Sequence, residues 1–139
     1  MSYDRKVDMT PLRVPDDELD YDDDLVYSYH GERFTGVGYD EAEGHGLSEI
    51  SYVDGLQDGP ARDWYPSGSL KSEEFFRKNV RHGRSREYRE DGLLLSEDVH
   101  EFGVHIQSRV FDSEGRGTTT LELAEGSPNY QLLQRIRNQ

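Results

Sequence analysis

Ser48-Glu49-Ile50-Ser51-Tyr52-Val53-Asp54-Gly55 returns twenty-four positions later as Ser72-Glu73-Glu74-Phe75-Phe76-Arg77-Lys78-Asn79. After another twenty-four it returns as Ser96-Glu97-Asp98-Val99-His100-Glu101-Phe102-Gly103. The serines and first glutamates keep register, and an aromatic place runs Tyr52, Phe76, His100. A turn place runs Gly55, Asn79, Gly103, with Gly31 one period earlier, and Asn substitutes for Gly where a left-handed backbone is needed. Gly59 and Gly83 form a second series at the same spacing, and Gly44, Gly68 and Gly92 a third. A fixed period is the mark of a repeat architecture. Four units are readable, about residues 26–47, 48–71, 72–95 and 96–118, with the outer two matching least, as terminal caps do.

Within one unit, Glu49–Val53 and Arg62–Tyr65 have strand character, and Asp54-Gly55-Leu56-Gln57-Asp58-Gly59 between them is dense in turn residues. Pro66-Ser67-Gly68 hands the chain to the next unit, as Glu90-Asp91-Gly92 does one unit on. No apolar run has the helical period. The expected fold is all-β: an elongated single antiparallel sheet of about four stacked hairpins. With residues 54–59 as the loop, Val53 faces Pro60, Ser51 faces Arg62 and Glu49 faces Trp64. Glu and Arg then share a face and meet diagonally. The Tyr52/Phe76 row is expected to pack with Trp64 or Tyr88 between neighbouring hairpins, or else to form an exposed binding stripe.

The repeat region is expected over residues 26–123, with Thr119-Thr120-Leu121-Glu122-Leu123 as a last strand. In the tail, residues 124–139, Ser127 as cap and Pro128 in the first turn predict a short helix. Residues 1–25 differ. Asp16-Asp17-Glu18-Leu19-Asp20-Tyr21-Asp22-Asp23-Asp24 holds seven acids in nine residues. Self-repulsion and scarce apolar side chains oppose an independent fold there. The segment is expected to be flexible, either a solvated tail or an arm lying on a basic partner, with Leu19, Tyr21 and Leu25 as anchors.

The net charge of −13 opposes contact with phosphates or an anionic membrane and favours a basic protein partner. The chain has no Cys, which removes disulfides and thiolate chemistry. Met1-Ser2-Tyr3-Asp4-Arg5-Lys6 leads into no apolar run, so a cytoplasmic protein without signal peptide or membrane insertion is expected. The histidines 30, 45, 82, 100 and 105 show no metal-ligand spacing, and no nucleophile or phosphate-loop motif occurs. No catalysis and no cofactor is expected. The candidate partner-binding residues are Asp16, Asp17, Glu18, Asp20, Tyr21, Asp22, Asp23 and Asp24, together with Glu49, Glu73, Trp64 and Tyr65. The glycines Gly31, Gly55, Gly59, Gly68, Gly83, Gly92 and Gly103 are assigned to turns.

The pattern Glu49-x-x-Tyr52-x-x-Gly55-x-x-x-Gly59 followed by Trp64-Tyr65-Pro66-Ser67-Gly68-Ser69-Leu70 resembles MORN-type repeats. In particular it resembles the shorter-spaced bacterial variant found in the YwqK-type antitoxin family. It recurs as Glu73-x-x-Phe76-x-x-Asn79-x-x-x-Gly83 followed by Tyr88-Arg89-Glu90-Asp91-Gly92-Leu93-Leu94, and covers about residues 27–118. The resemblance implies an antitoxin or immunity-type protein that neutralises a toxin by binding it; the acidic charge makes a nuclease, whose cleft is basic, the natural toxin. A scaffold or adaptor is the alternative. In the unit 96–118 His100 replaces the aromatic and Gln107 stands in place of the second Gly.

Overall fold

The computed structural model describes residues 11–139. The chain is mostly strand. It runs β1 (Arg13–Pro15), a 3-10 turn (Asp16–Glu18), β2 (Asp20–Tyr21), β3 (Tyr27–Tyr29), β4 (Glu32–Arg33), β5 (Gly36–Ala42) and β6 (Gly46–Val53). Then follow β7 (Leu56–Trp64), β8 (Leu70–Arg77), β9 (Val80–Arg81), β10 (Gly83–Tyr88), β11 (Leu94–Glu101), β12 (Val104–Phe111) and β13 (Gly117–Glu122), and the helix α1 (Pro128–Arg137). Among the described residues ten strands form one sheet, ordered β1-β5-β6-β7-β8-β10-β11-β12-β13, with β9 beside β8. It is mixed rather than purely antiparallel, because β1 runs parallel to β5. Nor is it the only sheet: β2, β3 and β4 form a second, three-stranded one.

The strands follow one another as hairpins because the same turn recurs. Consecutive residues with positive φ fall at His30-Gly31, Asp54-Gly55, Lys78-Asn79 and Phe102-Gly103. Two left-handed residues in a row make the primed turn whose twist matches that of its strands. Each of the last three turns is held by the hairpin before it. The amides of Asp54, Lys78 and Phe102 donate to Thr35 Oγ1, Asp58 Oδ2 and His82 Nδ1 at 2.9, 3.3 and 3.0 Å. Three side chains of different chemistry do one task, so residue identity alone does not reveal it.

The expected hairpin register needs correction. The loop is the two residues Asp54-Gly55, not 54–59, so Val53 pairs with Leu56 and Tyr52 with Gln57. The strands then slip at a bulge, and Ile50 pairs with Ala61 and Glu49 directly with Arg62. Gly59 lies in that bulge at φ 99°, and a Cβ there would sit 3.4 Å from Ser51 Cβ. It serves a close strand approach rather than a turn, and Gly83 does the same opposite Phe75.

The acidic segment also needs correction for residues 11–25. It does not lie free: Val14 and Leu19 join Phe34 and Tyr52 in the buried core, with Tyr27, Tyr29 and Ile50 against them. Two apolar side chains anchor the segment, while its acids stay exposed. Residues 1–10, the rest of that expected segment, lie outside the described residues. Tyr52 packs on Tyr27 and Phe34, with ring centroids 4.8 and 5.6 Å apart, not on Trp64 or Tyr88 as expected. Each such ring removes about 150–250 Å² from water, which lets a core this small hold one end of the sheet. At the other end Ser127 caps α1 by accepting the Tyr130 amide, and Leu133 is the helix's buried residue. Leu132 beside it is exposed. Among the described residues no helix is long and apolar enough to cross a membrane.

Candidate partner-binding face

Alternation along the strands divides the sheet's polar residues into two different surfaces. On one, a row crosses the strands as Tyr39, Glu49, Arg62, Glu73, Arg86, Glu97 and Arg109, with direct pairs Tyr39–Glu49, Glu49–Arg62, Arg62–Glu73, Arg86–Glu73, Arg86–Glu97 and Glu97–Arg109. It is a ladder of alternating charge. Arg13 bridges Glu49, Arg62 Nε meets Glu73 at 2.5 Å, and Arg84 and Arg86 hold Glu97 at 2.9 and 2.8 Å. Glu49 and Glu73, candidates for partner contact, are therefore half-buried and already neutralised.

Glu97 is the extreme case, 8% exposed. The hydrogen bond from Arg86 holds its carboxyl below the usual range against the opposing effect of burial, and Arg84 adds to it. A folded-state pKa below the unfolded one means stability that is complete above the ordinary glutamate range and lost as pH falls through the lower, folded value. Glu97→Gln is expected to cost about 2 kcal/mol at neutral pH, the worth of hydrogen bonds to a charged group. It should also flatten the acid limb of a urea-denaturation series between pH 7 and pH 3. An unchanged acid limb would show that the Glu97 pairing contributes nothing to it.

The opposite surface is a checkerboard of serine and acid. One row crosses the strands as Asp40, Ser48, Asp63, Ser72, Glu87 and Ser96. The next holds Gly38, Ile50, Ala61, Glu74, Ser85, Asp98 and Ser108, with Ser85 paired to Asp98 and Asp98 to Ser108. Ser48 and Ser72 both donate to Asp63, at 2.5 and 3.1 Å. These hydroxyls satisfy the carboxylate's oxygens without bringing a positive charge, whereas the arginines opposite bring one to theirs. Glu74 lies 3.6 Å from Arg81, but Asp40, Asp63 and Glu87 make no salt bridge among the described residues. The surface holds a groove of about 470 Å³ whose lining includes Ser48, Asp63, Ser72, Glu74, Glu87 and Asp98, and which Glu49, Arg62 and Arg86 of the ladder also border.

The N-terminal acids reach the margin of this surface. A Cβ on Gly38 would touch Leu19 Cδ1 at 3.1 Å and Asp16 Cβ at 3.8 Å, so the 3-10 turn covers this face at β5. Partial burial, then Asp40 and Asp17, pushes the Asp16 carboxyl up. Asp22 is structural: its Oδ1 accepts the amides of Asp24 and Val26 at 2.9 and 3.0 Å. Asp17, Glu18, Asp20, Tyr21, Asp23 and Asp24 are exposed. Trp64 and Tyr65 are half-buried at the end of β7, and Tyr65 donates to the Tyr88 carbonyl at 2.7 Å. Tyr65 thus joins one hairpin to the next rather than standing in an open stripe.

Asp40, Asp63, Glu74, Glu87 and Asp98 are residues the sequence reading did not single out. Their signal was present, since Asp63/Glu87 and Glu74/Asp98 keep the same twenty-four-residue spacing as Ser48, Ser72 and Ser96. At the far end His105 Nε2 lies 2.9 Å from Asp98 Oδ1 and 2.8 Å from Ser108 Oγ. Serine and aspartate meet the same ring nitrogen, whereas a nucleophilic relay needs them on opposite nitrogens. Among the described residues no group of three His or acidic side chains is placed to hold a metal. Comparison with protein-family models gives no match, and comparison with curated proteins gives none.

Proposed function

We propose that this is a non-catalytic repeat protein that binds a basic protein partner along its serine–acid face, in the manner of an antitoxin or immunity-type protein. The observation that carries the reading is the division of charge. One face pairs its acids with arginines of the same sheet, while the other leaves Asp40, Asp63 and Glu87 without a salt bridge among the described residues. A grooved anionic face on a chain of net charge −13 complements a basic surface and speeds its arrival. Carboxylates repeated at regular steps along a groove also suit a partner whose cleft takes a polyanion, which favours a nuclease toxin.

The finer repeat assignment belongs to the same proposal. The turns at 30–31, 54–55, 78–79 and 102–103 support about four stacked hairpin units of MORN-like type in an elongated array. Such an antitoxin would act in the cytoplasm, beside its toxin. The test is affinity capture of the tagged protein from its native cells at low and at moderate salt, with identification of what is retained. The expected result is one basic protein in near-equal amount, toxic when made alone, released as salt screens the attraction. Several unrelated proteins, retained alike at both salts, would instead identify a scaffold.

A further inference from the structure

The β11–β12 hairpin closes on two histidines. His100 and His105 are register partners, and their rings stack in parallel with centroids 4.4 Å apart and planes 7° apart. His100 occupies the place that Tyr52 and Phe76 hold in the two preceding hairpins. The fold thus asks for a flat ring there, and in this hairpin alone of the three the ring can take a proton. His100 Nδ1 is buried and has no hydrogen-bond partner among the described residues.

The charged and titratable groups around it are few. Arg81 of β9 is held by Glu74 of β8 at 3.6 Å. Asp98 of β11 is engaged by Ser108 and by His105 Nε2, both of β12. A proton on His100 Nδ1 would therefore have no acceptor, and its charge would lie face to face with a second imidazole. We propose that His100 is an acid-sensitive latch: neutral, it stacks and closes the β11–β12 hairpin; protonated, it opens that hairpin. Opening would also displace Asp98 and Ser108, and with them the far end of the serine–acid face. The latch stands whatever that face binds.

Burial first, then His105 and Arg81, push His100 below the ordinary histidine range, with Asp98 opposing. Stability from the neutral ring is therefore complete above the ordinary range, about pH 6.5. It drains away as pH falls from there through the lower, folded value.

The test uses the full chain. Ring resonances of the wild type are followed from pH 8 to pH 4.5, with thermal unfolding of wild type and His100→Phe at pH 7.5 and pH 5.5. His100 should titrate below the ordinary range. The wild-type Tm should fall about 3–5 °C further than that of His100→Phe over the same interval, the shift expected of roughly 1 kcal/mol in a domain of this size. Carboxylate effects are common to both chains and cancel. His100 titrating at or above the ordinary range, or equal Tm losses, would overturn the proposal. Should the variant fail to fold, the wild-type titration decides alone, together with amide exchange, which should quicken in acid selectively over residues 99–106.

Discussion

Gly55→Val should cost roughly 3–5 kcal/mol, and Gly68→Val only about 1–2, although both glycines have positive φ. The backbone penalty is shared: φ is 86° at Gly55 and 94° at Gly68, where a β-branched side chain is strained. The surroundings are not shared. Gly55 is buried between two turns, where its amide donates to the Phe34 carbonyl at 2.8 Å and its carbonyl accepts the Tyr27 amide at 2.7 Å. A Cβ there would come within 2.6 Å of Val26 Cγ1 and 2.9 Å of Tyr27 O, closer than real contacts allow. Around Gly68 nothing lies within 4 Å. The Gly55→Val variant must push β3 away from the turn, and β3 carries Tyr27, which packs on Tyr52 in the core. With a domain's whole stability at about 5–15 kcal/mol, that change should leave a substantial unfolded fraction under mild denaturant. Urea midpoints of the two variants measure the difference. Equal midpoints would mean that the turn-to-turn contact carries no weight.

The strand-rich fold was legible because its signal is periodic and local. Asp54-Gly55 and Ser127-Pro128 each specify backbone conformation through their own chemistry, and the structure has a primed turn and a capped helix there. Register was not legible. Four turn-forming residues within six positions, Asp54 to Gly59, hide where the loop ends, and only the bulge opposite Ser51 reveals that Gly59 belongs to a strand. Gly46 shows the same limit. It falls outside the glycine series, yet at φ 81° a Cβ there would collide with the Trp64 carbonyl, a contact between chain segments that no local pattern encodes. The acidic segment misled for a related reason. Its composition opposes an isolated fold, but Val14 and Leu19 meet a core that other strands supply.

The site was half legible in the same sense. The repeated glutamates Glu49, Glu73 and Glu97 stood out because they repeat, and their repetition reflects a structural task, each facing an arginine across the strands or from β1. A repeated charge on a sheet is informative about binding only once its face is known. A register error moves a residue's partner, and an error of one residue in strand parity moves it to the other face. The carboxylates left without arginines, alternating with hydroxyls, could be assigned to one surface only after the bulges at Ser51 and at Asp63/Trp64 fixed that parity.

Neutralising two of those carboxylates separates the faces. Asp63→Asn with Glu87→Gln should weaken binding of the captured basic partner about 10- to 100-fold at low salt, each tenfold step being about 1.4 kcal/mol. It should also flatten the salt dependence, because fewer charges remain to be screened. The fold should survive. The carbonyl oxygen that Asp63→Asn retains can still accept a hydroxyl from Ser48 or Ser72, and Glu87 is exposed. Glu73→Gln on the opposite face makes the contrast. It removes a bridge to Arg62 and should lower the urea midpoint, yet leave affinity within about threefold, the change expected of a charge outside the contact. Binding is measured by titration at two salt concentrations, with folding checked at both. If Glu73→Gln lowers affinity while the double variant does not, the partner sits on the arginine–glutamate ladder, and the unneutralised face serves only to keep the chain in solution.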